Sequence, residues 1–235
     1  RARRARPTLL LICLVTPGAF AQVVASTPRG VAVAHDGLVQ LFSAGDVRWS
    51  IEGVANATAI ASDDRRVVVL DGLENEAVVA ELDTGRATRI RTAETPVAAA
   101  FSGGAVYILA RDAHLLQRVG GADIAVGQDP AFLVAANGRL YVYSRGGGTI
   151  EEIERDRVVR TVAVAPFASD LEISGTTAFL AYPREAKVRV VDLVAMKPAG
   201  EIAVGAVPVD VAIAGGGAAL TARILAAADP SAKRV

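Results

Sequence analysis

One stretch of this chain occurs twice. Residues 124–144 read IAVGQDPAFLVAANGRLYVYS, and residues 202–222 read IAVGAVPVDVAIAGGGAALTA. Each copy has a strand ending in glycine, a proline three residues on, a second strand, a small-residue turn and a third strand. Further copies align on their turns at 61–64, 102–104 and 174–177. The strands that follow these turns centre on Val69, Ile108, Val142, Leu180 and Leu220, at intervals of 34 to 40 residues. A period near 40 built only of short strands and turns is the signature of a ring of small antiparallel sheets.

The physical reason is burial. A four-stranded sheet with two apolar faces covers neither alone, so neighbours must stack face to face. Strands buried on both faces lose strict alternation and become short apolar runs, as in Val67-Val68-Val69-Leu70. Alanine runs such as Ala98-Ala99-Ala100 would also suit a helix, but glycine and turn residues interrupt each run first. The reading is therefore all-β: a β-propeller of about six four-stranded antiparallel blades. The repeats fall near 30–53, 57–91, 97–126, 131–164, 170–204 and 209–235. The chain opens on Arg1 rather than Met, and a seventh blade is expected if it is a fragment. Residues 23–28 fit either the closing strand of the last blade or the first strand of the first.

The pattern Ile-x-Val-Gly-x-x-Pro, followed by a strand, a small-polar turn and a Tyr-Val-rich strand, resembles the YVTN β-propeller repeat. The match is good at 124–144 and 202–222 and degenerate at 90–110 and 164–182. The resemblance implies the fold, and an exported protein with any of many roles.

Export is also read from the N-terminus. Arg1, Arg3, Arg4 and Arg6 precede the apolar run 9–15, and Ala19-Phe20-Ala21 follows. This is the layout of a signal peptide over 1–21, leaving one propeller domain over 22–235. The alternative, an uncleaved anchor, is disfavoured because Pro17 and Gly18 cut the run short of the ~20 apolar residues of a span. Without the four leader arginines the 25 basic residues become 21, against 25 acidic, a balance of −4. That argues against a nucleic-acid partner. The one cysteine, Cys13, lies in the leader, so no thiol chemistry is expected in the mature chain. The expected location is periplasmic or extracellular, with no membrane span after cleavage, and the expected state is a monomer.

Candidate site residues come from the repeat. Arg111, Arg145, Arg184 and Arg223 stand just after second strands, where the loops of successive blades share one rim. Asp129, Asp170 and Asp210 stand on the segments entering the first strands. Such arginines can hold a carboxylate or phosphate by bidentate contacts. They can equally be loop charges paired locally with neighbouring acids, which contribute little.

Other polar features read as structural. His35 and His114 lack ligand spacing and take turn and edge roles. Asp71, Glu74 and Glu76 match no calcium loop and read as a solvated loop. Glu151, Glu152 and Glu154 read as a charged edge strand resisting aggregation. Gly146-Gly147-Gly148 joins two strands, so it is a turn and not a phosphate loop. Asn56-Ala57-Thr58 fits a glycosylation acceptor, a short and often incidental signal. Trp49 is assigned to packing between blades, and Tyr107, Tyr141, Tyr143 and Tyr182 to packing on second strands. No catalytic constellation appears, and no cofactor or metal is expected. The leading function is an exported, non-enzymatic propeller binding a protein partner or small anionic ligand through loops at one rim. The alternatives are a lactonase- or lyase-like enzyme with a metal or acid/base site at the channel mouth, and a structural cell-surface module.

Overall fold

The computed structural model describes residues 23–204, 207–214 and 219–224. Two compact units divide between Pro166 and Phe167. The leader region, 1–21, lies outside the described residues.

The first unit holds four sheets, each antiparallel and each built from consecutive strands. The first sheet contains β1 (Val23–Thr27), β2 (Gly30–His35), β3 (Gly37–Ser43) and β4 (Asp46–Val54). The second contains β5 (Ala57–Ser62), β6 (Arg66–Asp71), β7 (Glu76–Glu81) and β8 (Ala87–Arg91). The third contains β9 (Pro96–Ser102), β10 (Ala105–Ala110), β11 (Leu115–Arg118) and β12 (Ile124–Ala125). The fourth contains β13 (Pro130–Ala136), β14 (Arg139–Ser144), β15 (Thr149–Glu154) and β16 (Arg157–Ala163). The opening strands β1, β5, β9 and β13 lie side by side, so the four sheets share one inner edge.

The second unit holds one such sheet and a hairpin. The sheet contains β17 (Asp170–Ser174), β18 (Thr177–Tyr182), β19 (Lys187–Asp192) and β20 (Lys197–Ala203), with a 3-10 turn at Pro183–Glu185. The hairpin contains β21 (Pro208–Ala214) and β22 (Ala219–Ile224).

One expectation is corrected here. The described residues form five four-stranded sheets, not six or seven; the sixth repeat appears as two strands, β21 and β22. Of the two placements open for the segment before Gly30, the structure has the second: β1 pairs with β2 in register Val24 to Val33, so residues 23–27 open their own sheet.

The second strands carry the core. In β6, β10, β14 and β18 every residue after the first is buried. Successive side chains point to opposite faces, and each face meets a different neighbour. Val67 and Val69 pack with Ala32, Val39 and Leu41 of the first sheet. Val68 and Leu70 pack with Val106 and Ile108 of the third. Tyr107 and Leu109 then pack with Leu140 and Val142 of the fourth. Each such buried aliphatic side chain contributes roughly 1.5–3 kcal/mol relative to exposure, which is why these runs are continuously apolar. Trp49 does join neighbouring sheets: its indole N–H donates to the Leu82 carbonyl at 3.0 Å.

The acidic residues of β15 overturn the edge-strand expectation. β15 is an interior strand, paired with β14 on one side and β16 on the other. Glu152 is 1% exposed and sits between Arg139 and Arg160. Its Oε1 lies 2.6 Å from Arg139 Nη1, and its Oε2 accepts from Arg160 Nε at 2.6 Å. Glu151, also buried, accepts from the Gly127 N–H at 2.9 Å and from the Ser144 hydroxyl at 3.2 Å. These carboxylates are ties within the sheet, held by charged or backbone donors, as buried charge requires. Asp71 differs from expectation in the same way. It is buried, and it accepts from the N–H groups of Asn56, Leu73 and Glu74, closing a turn.

Candidate functional site

The candidate site grows from one repeated loop. Between second and third strands the chain uses four residues: 72–75, 111–114, 145–148 and 183–186. Each loop ends in the left-handed region, at Asn75, His114, Gly148 and Ala186, with φ of 50°, 52°, 59° and 51°. The carbonyl of that last residue accepts an N–H from just beyond the outer strand, from Thr92, Val126, Val164 and Val204 respectively. The first loop residue in turn reaches the segment entering the inner strand. Gly72 donates to Asn56, Arg111 to Thr95, and Arg145 to Asp129, at 2.8–3.0 Å. The repeat thus fixes the backbone of the residue just after the second strand in the second, third and fourth sheets; Pro183, in the fifth, has no N–H to donate.

This geometry brings three of the seven candidates together. Arg111 and Arg145 both engage Asp129. Arg111 Nε lies 3.5 Å from Asp129 Oδ1, a loose ion pair with both side chains over a third exposed. Arg145 donates its backbone N–H to the Asp129 carbonyl at 2.8 Å. The Asp129 N–H points at His114 Nδ1, 3.4 Å away. His114 is therefore a turn residue that also steadies the entry to β13. Neither Arg111 Nε nor Arg145 Nε has a hydrogen-bond partner among the described residues, although both atoms are out of solvent. A buried guanidinium N–H without an acceptor is costly, and a bound anion is the group that would satisfy it.

The remaining candidates stand elsewhere. Arg184 is in the 3-10 turn of the second unit, its guanidinium 5.7 Å from the centre of the Phe167 ring. Arg223 lies within β22 and not after it, paired in backbone register with Asp210. Asp170 and Asp210 lie on adjacent strands, and burial together with Asp210 pushes Asp170 up to about 7. The buried roles of Glu151 and Glu152 escape a reading of the sequence because a Glu pair in a strand reads as solvated. The signal for them is their position between Ile150 and Ile153 in a strand flanked by Arg139 and Arg160.

Among the described residues no group of three or more His, Cys, Asp or Glu side chains is arranged to hold a metal ion, and no helix is long and apolar enough to cross a membrane.

No protein-family model matches the chain, and no curated protein does. Solved structures do. BamB from Moraxella catarrhalis is 14% identical, with a TM-score of 0.63, over 82% of this chain and 67% of that one. BBS1N, solved in complex with ARL6DN, is 12% identical, with a TM-score of 0.65, over 81% and 69%. Kuenenia stuttgartiensis hydrazine synthase is 18% identical, with a TM-score of 0.54, over 62% of this chain and about half (48%) of that one. BamB and BBS1N are β-propeller proteins. At these identities the likeness is one of fold, and the chain is a protein of the β-propeller class. The YVTN-type repeat has no matching family model behind it.

Proposed function

We propose that this chain is an exported β-propeller binding module, which takes an anionic group of a protein partner or small ligand at the rim where Arg111 and Arg145 meet Asp129. The observation that carries the reading is two neighbouring arginines whose Nε atoms lie out of solvent without a hydrogen bond among the described residues, Arg111 only loosely paired with the Asp129 carboxylate and Arg145 joined to Asp129 through its backbone N–H. A carboxylate or phosphate would supply both acceptors and displace a loose 3.5 Å ion pair. The adjoining loop, Gly146-Gly147-Gly148, places little side-chain bulk over this spot; Gly146 and Gly147 are exposed. The solved complex of BBS1N with ARL6DN supports partner binding as a use of such a fold. Export rests on the leader-like N-terminus, and the YVTN-like repeat agrees with it.

Isothermal titration of the full chain with inorganic phosphate, citrate and an acidic peptide tests the site. Arg111→Ala with Arg145→Ala should weaken binding of the best anion at least ~10-fold, the order expected for losing charge-assisted contacts. Arg184→Ala should leave it unchanged. Equal affinity in the double variant and the parent would refute the site.

A further inference from the structure

The second unit carries a feature that the rim site does not use. Asp170 opens β17 and Asp210 lies in β21, and these two opening strands run side by side. The Asp170 carboxyl accepts from the N–H of Val211, the residue next to Asp210, which places the two acids at one strand junction. Burial and the neighbouring Asp210 raise Asp170 above the ordinary carboxyl range, so its protonated form is the one this junction favours. Backbone donors complete the arrangement. Val211 N–H donates to Asp170 Oδ2 at 2.8 Å, and the Leu171 N–H also reaches the Asp170 carboxyl. Nearby, the Ser169 hydroxyl donates to the Pro208 carbonyl at 3.4 Å. The sheet β17–β20 meets the hairpin β21–β22 through an apolar cluster of Phe179, Ala181, Val188 and Val211, and the acid pair and its backbone donors add a polar tie between β17 and β21.

The surroundings add negative charge. Glu172 shares the face of β17 with Asp170, and burial plus the Asp210 charge hold its carboxyl above the ordinary range. Across β18, Asp170 faces Ala181 and Glu172 faces Phe179, neither of them charged. On β22 the backbone register partner of Asp210 is Arg223.

We infer that Asp170, bonded to the Val211 N–H beside Asp210, is a proton-dependent clasp between the β17–β20 sheet and the β21–β22 hairpin, closed in mildly acidic solution and loosened when Asp170 ionises beside Asp210 and Glu172. No bond is made or broken beyond the loss of the Asp170 proton to solvent. In the closed form Val211 is protected by Asp170. In the open form two like charges on adjacent strands push the hairpin away from the sheet.

Amide hydrogen exchange of the full chain, corrected for intrinsic rates, reads the clasp at the Val211 amide. Between about pH 5.5 and about pH 8.5 its protection should fall at least ~10-fold. Asp170→Asn keeps the shape and accepts from Val211 without titrating, so its protection should stay level. Asp210→Asn offers the same comparison from the other strand should Asp170→Asn fold poorly. Level protection in the parent, or a parent-like fall in both Asn variants, would overturn the clasp.

Discussion

Replacing Glu152 by alanine removes the carboxylate that joins Arg139 and Arg160 across β14, β15 and β16, leaving Arg139 its longer 3.5 Å pair with Glu154. Glu152 is 1% exposed, and both arginines contact it through charge-assisted hydrogen bonds. Breaking a fully buried ion pair costs about 3–5 kcal/mol, because a charge is stranded. Here the two arginines keep 39% and 37% side-chain exposure and Arg139 keeps its pair with Glu154, so water and that carboxylate take over part of the lost contact. The expected loss for Glu152→Ala is therefore ~2–3 kcal/mol, and for Glu152→Gln, which keeps the volume and two weaker contacts, ~1–2 kcal/mol. At roughly 2–4 °C per kcal/mol, the alanine variant should melt about 5–10 °C lower. Urea unfolding followed by fluorescence measures this well. The single tryptophan, Trp49, lies in β4 of the same unit and reports on it. The loss should also survive ~0.5 M salt, since a buried contact is weakly screened. An alanine variant within ~0.5 kcal/mol of the parent, or a loss that salt abolishes, would mean that Glu152 behaves as a surface charge and that its burial does not set its strength.

Gly85→Ala should destabilise the first unit by ~1–3 kcal/mol, read as a lower urea midpoint, because φ is +69° there and a Cβ would lie 2.6 Å from Trp49 Cγ. Tyr107→Phe should cost about 1 kcal/mol in the same assay, through loss of the 2.7 Å hydrogen bond from its hydroxyl to Asp156. The second unit should lose stability as pH rises. Asp170 is raised from its ordinary 3.8 to about 7, so the folded form keeps a proton that the unfolded chain gives up. Its contribution is full below the unfolded value and gone once pH passes the folded one, a swing of roughly 2–4 kcal/mol. Melting curves of the parent should show this swing and those of Asp170→Asn should not; parallel curves would count against it.

Most of the strand plan is legible in the sequence. The continuous run Val67–Leu70 and the turn glycines announce short strands buried on both faces, and the second to fifth sheets stand close to where the period places them. The sequence leaves the place of β1 open between the first sheet and the last, because no preceding turn marks it. The sixth repeat appears as only two strands among the described residues, a count that periodicity cannot supply. The site is half legible. Residues after second strands stand out as a class, but Arg111 and Arg145 meet at Asp129, whereas Arg184 lies on Phe167 and Arg223 within a strand.

The sequence by itself determined the local order: which residues form strands, where turns reverse them, and that each sheet must be covered on both faces. These properties depend on neighbours a few residues apart, and hairpins keep such neighbours together in space. Only the tertiary structure decided what each charge means. Glu152 is clamped by arginines on both flanking strands, Asp71 closes a turn with the chain entering its own sheet, and Asp170 meets a second carboxyl 40 residues away. Stacked repeats bring equivalent positions together one period apart. Whether a carboxylate there finds an arginine, an amide or another acid depends on side-chain burial and direction, which periodicity does not encode.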